Sequence, residues 1–139
     1  MCLFGLAAVA SAGPAAACAD VVGRPPPPIR TLEVQDAAYL RQGAVVALAS
    51  IVERGDDEWR FRIDGETTGD FPDEVILEDG IIIDCRAELM PIVPESGALG
   101  DRVLLVRSDA NNIQYAVLLE TQRGRRLWTR VSRSAEIKQ

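Results

Sequence analysis

Residues 62–77, RIDGETTGDFPDEVIL, join two apolar segments through a stretch rich in acidic residues, glycine and proline. Apolar and charged residues alternate over residues 59–66, which overlap the start of this stretch, and this is the period of a β-strand with one face in water. Residues 74–78 are a second short apolar segment, and Gly69 and Pro72 between the two are typical turn residues. The stretch therefore predicts two strands joined by a turn.

The acidic side chains of this stretch have a second interpretation, because calcium prefers carboxylate oxygens as ligands. Their spacing does not follow the EF-hand loop. The strand period places Asp64 and Glu66 on the face that carries Arg60 and Arg62. Ion pairs between strands on a solvated face account for the acids, so we predict no metal and no other cofactor.

The rest of the chain extends the strand pattern. A helix is predicted over residues 31–42, capped by Thr31 and ended by Gly43. Short apolar segments between turn residues are predicted as strands at 44–53, 59–66, 74–78, 81–85, 102–107, 113–120 and 127–132. One short helix followed by about six strands predicts an all-β domain over residues 31–139. Its expected form is a small closed five- to six-stranded barrel of the OB type.

The N-terminal residues predict export. Residues 3–10 form an apolar run that is too short to cross a bilayer, and small residues suited to signal peptidase follow it. We therefore predict a signal peptide over residues 1–17. Residues 18–30 contain four consecutive prolines and favour an extended spacer. The expected location is periplasmic, secreted, or lipid-anchored at the cell envelope.

Cleavage after residue 17 would leave Cys18 at the mature N-terminus, and three interpretations of the cysteines stay open. Residues 15–18 partly resemble a bacterial lipobox, whose cysteine carries a lipid that would give the expected contact with a membrane. Oxidation after export would allow a disulfide between Cys18 and Cys85. In the third interpretation Cys85 is a free buried thiol. None of these makes a cysteine catalytic, because the chain contains no histidine to activate a thiolate.

Composition narrows the function. The absence of histidine removes the usual zinc ligand sets and the Ser-His and Cys-His pairs of nucleophilic enzymes, so we predict that the protein is not an enzyme. The net charge of the 139 residues is −6, and over residues 20–120 twenty acidic residues face nine basic ones. This balance argues against general nucleic-acid binding.

The charge reverses after residue 120, where six basic residues accompany one acidic residue. Trp128 could offer a stacking surface to a base or a sugar beside these arginines. The candidate ligand contacts are Trp128, Arg125, Arg126 and Arg130, with Arg123 next to them. The alternative is a solvated strand edge whose arginines discourage pairing between edges.

The order of the segments over residues 31–120 resembles the OB-fold domain shared by tissue inhibitors of metalloproteinases and their bacterial secreted relatives. Residues 69–75, GDFPDEV, are similar to the family's glycine turn, and residues 100–106, GDRVLLV, are similar to the opening of its fourth strand. The resemblance implies a protease inhibitor acting through the mature N-terminal Cys18, with Cys85 as its partner cysteine. Asp20 departs from the family's Cys-x-Cys start.

Taken together, these features favour a non-enzymatic exported module that contacts another protein at the cell envelope. Protease inhibition through Cys18 is one alternative. Binding of a nucleic acid or a glycan by the C-terminal basic segment is the other.

Overall fold

The computed structural model describes residues 29–82 and 90–137, with side chains described for 31–82 and 90–134. The elements are helix α1 (Ile29–Arg41), β1 (Val45–Arg54), β2 (Glu58–Thr67), β3 (Glu74–Glu78), β4 (Ile81–Ile82), β5 (Met90–Pro91), β6 (Arg102–Ser108), β7 (Ile113–Leu118) and helix α2 (Gln122–Ile137). The predicted signal peptide, residues 18–28 of the predicted spacer and both Cys18 and Cys85 lie outside the described residues. Residues 29 and 30, predicted as the end of the extended spacer, are helical and begin α1.

Five of the strands form one antiparallel sheet in the order β3-β2-β1-β6-β7, and β4 pairs with β5 separately. The sheet curls into a half-barrel. Register shifts between β1 and β2, at Ala47/Ala49 and Ile51/Glu53, add the local twist that such bulges bring. In the described chain the sheet ends at β3 and β7, which do not pair with each other. The β-rich prediction is confirmed, whereas the predicted closure of the barrel is wrong.

Both faces of the sheet are buried along β1 and β6, each against a different part of the chain. One face forms a core with Val93, and helices α1 and α2 cover the other through residues such as Tyr39 and Leu127. Because β1 and β6 are covered on both faces, their sequences are nearly continuous apolar runs, whereas β2 and β3 alternate between buried and more exposed positions. Trp59 and Phe61 lie in the first core and are 2% and 0% exposed, as expected for the apolar residues of the alternation over residues 59–66.

Helix α1 ends as predicted at Gly43, which has a φ of +90°. The amide of Gly43 donates to the carbonyl of Leu40, and the amide of Ala44 donates to the carbonyl of Tyr39. These two bonds form a Schellman motif, in which glycine adopts the left-handed conformation without strain. The helix begins at Ile29 and not at the predicted Thr31 cap.

The segment predicted as a last strand, residues 127–132, belongs to helix α2, so the expectation of a single helix is also wrong. Thr121 caps this helix, because its hydroxyl accepts a hydrogen bond from the amide of Gly124 at 3.0 Å. Leu127 and Val131 are buried and four residues apart, the spacing of one helix face. A Cβ at Gly124 would overlap the backbone of Leu118, so glycine lets α2 lie directly on the end of β7.

Candidate functional site

A buried polar cluster joins α1, β7 and α2. The carboxylate of Asp36 accepts three hydrogen bonds: from the hydroxyl of Tyr115 at 2.6 Å, and from Nε and Nη2 of Arg123 at 2.7 and 2.8 Å. Asp36 is 3% exposed and Tyr115 is fully buried. A further contact of 3.4 Å runs from Nη2 of Arg123 to Sδ of Met90. The cluster therefore connects the first described helix to the last strand and the last helix.

The protonation states of the cluster follow from its surroundings. Burial raises the pKa of the Tyr115 hydroxyl above its ordinary value, and the charge of Asp36 and the hydrogen bond to it raise it further. Burial by itself lowers the pKa of Arg123, but the hydrogen bonds and charge of Asp36 outweigh burial and raise it. The cluster thus holds a neutral phenol and a permanent guanidinium. Both are committed to Asp36, an arrangement that supports packing more than proton transfer.

An open groove of about 760 Å³ lies beside this cluster, between α1 and α2. Arg41 from the last turn of α1 lines it, together with Arg126 and Arg130 from α2. Two apolar residues of α1 also line it: Ala37, which is buried, and Val34, which is 61% exposed. The groove therefore combines three guanidinium groups with a short apolar surface. We call it the arginine groove.

The arginine groove contains one carboxylate, that of Glu33. Its Oε2 lies 2.6 Å from Nη1 of Arg126, and its Oε1 is buried without a hydrogen-bond partner in the described part of the chain. Arg41 and Arg130 form no ion pair with any residue that the structure describes. The groove is thus positively charged, and two of its guanidinium groups are free to bind an anion.

The structure separates the candidate contacts predicted from sequence. Arg126 and Arg130 enter the arginine groove, whereas Arg125 is exposed on α2 outside its lining and donates to the backbone carbonyl of Glu120. Trp128 is partly buried and packs against the core beneath the helices. Arg123 is the buried partner of Asp36. The contribution of Arg41 was missed, because only the packing of α1 on α2 brings it beside the other two.

The acidic residues of 62–77 lie on β2, on β3 and in the loop between them. Nε and Nη1 of Arg60 lie 3.6 Å from Glu53 and 3.8 Å from Glu74, and Asp64 accepts a hydrogen bond of 2.6 Å from the hydroxyl of Ser50. The ion pairs of Arg60 are therefore with Glu53 and Glu74, not with Asp64 or Glu66. Within the described ranges, no three His, Cys, Asp or Glu side chains are grouped so as to hold a metal.

Comparison of the chain with family models, with curated proteins and with solved structures finds no match. Neither helix described by the structure has the length and apolar content needed to cross a membrane. The geometry and charge of the arginine groove are therefore the basis for proposing a function.

Proposed function

We propose that the protein is a non-enzymatic binding module and that its arginine groove receives an acidic segment of a partner protein. One observation carries the proposal: Arg41 and Arg130 face the groove without a carboxylate partner among the described residues. Beside the groove, the carboxylate of Asp36 accepts hydrogen bonds from both Tyr115 and Arg123. They support the helices and are not free to react with a bound molecule.

The lining of the groove favours carboxylates over other anions. Guanidinium groups bind carboxylates through two parallel hydrogen bonds, and the aliphatic stems of acidic side chains can pack on Val34 and Ala37. A long polyanion is disfavoured, because residues 45–79 contain eleven acidic and three basic residues. A short acidic protein segment fits the groove without extending over this acidic part.

The same proposal includes export and an OB-like relationship. Residues 1–17 have the pattern of a signal peptide, and residues 69–75 and 100–106 support a relationship to the OB domain of the metalloproteinase inhibitors. A curled five-stranded antiparallel sheet is compatible with a partly open barrel of that type. The mass of the native N-terminus, with and without reduction, tests export. It also tests the lipid on Cys18 and the disulfide to Cys85.

The groove is tested with two labelled peptides of equal length, one alternating glutamate with leucine and one alternating glutamine with leucine. Fluorescence anisotropy should show that the acidic peptide binds and that binding weakens as salt is added. Replacing Arg41 and Arg130 by glutamine should weaken binding about tenfold, since two charge-assisted contacts are lost. The matched control replaces Arg62 and Arg102, which are exposed on the sheet, and should leave affinity unchanged.

Two results would contradict the proposal. One is equal affinity of the groove variant and the wild type for the acidic peptide. The other is tighter binding of an oligothymidylate or a sulfated glycan than of the acidic peptide, which would favour the nucleic-acid or glycan alternative.

A further inference from the structure

The second charged feature of the molecule is the edge of the sheet at β3. In its register with β2, Val75 lies opposite Phe61 and Leu77 lies opposite Trp59. The amide of Ile63 donates to the carbonyl of Asp73 at 2.9 Å, and the amide of Asp79 donates to that of Asp57 at 2.7 Å. In an antiparallel ladder the hydrogen-bonded pairs recur every second residue. Because Asp73 and Asp79 are bonded to β2, Val75 and Leu77 between them also direct their backbone N–H and C=O groups toward β2.

The residues between them therefore direct their backbone groups away from β2. These are Glu74, Ile76 and Glu78. Among the described residues, no other strand or loop makes a backbone hydrogen bond to this edge. β3 thus presents three amides and three carbonyls in the alternation that an added strand requires.

The side chains on this edge are acidic, apolar and acidic in turn. All three are exposed, and Ile76 is 53% exposed. Glu78 lies directly opposite Glu58 on β2, and neither forms an ion pair with a residue that the structure describes. Like charges in opposing positions destabilise a sheet, so a cation beside them would be favourable.

The charge pattern also disfavours pairing between the β3 edges of two copies of this chain. Two β3 strands paired antiparallel about Ile76 would place Glu74 opposite Glu78 twice. Such a pairing would bring four carboxylates together with no basic residue between the strands. Acidic residues on an edge are a recognised protection against self-pairing.

We propose that the β3 edge receives an extended segment of a partner protein by strand addition. The segment has basic residues two positions before and two positions after an apolar residue. The basic residues would lie opposite Glu74 and Glu78, and the apolar residue opposite Ile76. Because the pattern is symmetrical, it fits in either direction. This inference is independent of the arginine groove, whose failure as a binding site would not affect it.

The test uses two seven-residue peptides, SKTVTKS and the matched acidic SETVTES, and hydrogen exchange followed by NMR. Addition of SKTVTKS should slow exchange of the outward amides of Glu74, Ile76 and Glu78. The amides of Val75 and Leu77, already bonded to β2, should change little. SETVTES should leave all five unchanged. If SKTVTKS does not slow the three outward amides, the proposal is wrong.

A pair of variants at position 76 gives a second test. Ile76→Pro removes the outward N–H and places a ring on the edge, while the inward bonds to β2 are kept. Ile76→Thr retains the N–H and serves as the control. Binding of SKTVTKS should be lost in the proline variant and retained within about threefold in the threonine variant. A folded proline variant that binds as tightly as wild type would overturn the proposal, and if that variant does not fold, the exchange result decides.

Discussion

Two ion pairs join the same two helices, and they differ in burial and in the number of hydrogen bonds that their carboxylates accept. Arg123 and Asp36 are 2.7 Å apart, and Arg126 and Glu33 are 2.6 Å apart. The side chains of the first pair are 10% and 4% exposed, whereas those of the second are 62% and 15% exposed. Distance therefore does not distinguish them. Their surroundings assign one pair to stability and leave the other open to exchange with a ligand.

The largest effect is expected from breaking the buried pair. Asp36→Asn keeps the shape of the side chain but leaves the guanidinium of Arg123 buried without its counter-charge. The free energy of unfolding should fall by about 3–5 kcal/mol, measured by urea denaturation. Replacing the whole buried cluster by apolar residues, with Asp36→Leu, Tyr115→Phe and Arg123→Met together, should lower the free energy of unfolding by less than Asp36→Asn does. A loss below about 1 kcal/mol for Asp36→Asn would mean that the two pairs are equivalent.

A smaller loss of stability is expected when the start of α2 is forced away from the sheet. The Cβ of Gly124→Ala would overlap the carbonyl oxygen of Leu118, so the start of the helix must shift. We expect a loss of about 2 kcal/mol, because overpacking outweighs the helix propensity of alanine. Gly80→Ala is the control, since its Cβ would meet only Ile92 at an ordinary 3.5 Å. Equal thermal stability of the two variants would contradict the close approach of α2.

The third prediction concerns alkaline pH. The raised pKa of Tyr115 means that its contribution to stability is complete below the ordinary tyrosine pKa of about 10 and is lost as pH rises beyond it. The stability difference between wild type and Tyr115→Phe should shrink by about 1.4 kcal/mol per pH unit above pH 10. Urea unfolding from neutral pH to pH 11 measures this. Parallel pH profiles of the two proteins would be inconsistent with a buried neutral phenol.

The smallest effect is expected at the exposed pair. A double-mutant cycle with Glu33→Gln and Arg126→Gln should give a coupling energy of about 0.2–1 kcal/mol, decreasing as salt is added. The guanidinium of Arg126 would then be available to a ligand carboxylate at little cost to the fold. A coupling above about 2 kcal/mol would assign this pair to stability as well.

Most of the sheet was predictable because its signals are local. Alternation over residues 59–66 and the turn residues after them predicted β2 and β3, and Gly43 predicted the end of α1. Helix α2 was missed because Gly124 resembles a turn residue, although here it permits close packing. The spacing of Leu127 and Val131 was the signal that could have identified the helix.

The buried cluster was not predictable from any local pattern. Its members are 79 and 87 residues apart in sequence, and only the folded sheet brings them together. The position of Asp36 on the apolar stripe of α1 was the one available sign, because a carboxylate there must find a partner. Two of the three arginines of the arginine groove were predicted, because Arg126 and Arg130 belong to one basic segment. Arg41 was not, because it lies near the opposite end of the described chain.

The long separation of Asp36 from Arg123 also sets an order of events during synthesis. A ribosome makes α1 early, yet the residues that neutralise and bury its carboxylate emerge only with β7 and α2. Contacts between distant residues form slowly, because a long chain must first be closed into a loop. Until then one apolar face of the sheet lacks its cover. The nascent protein should therefore bind chaperones until α2 has been made.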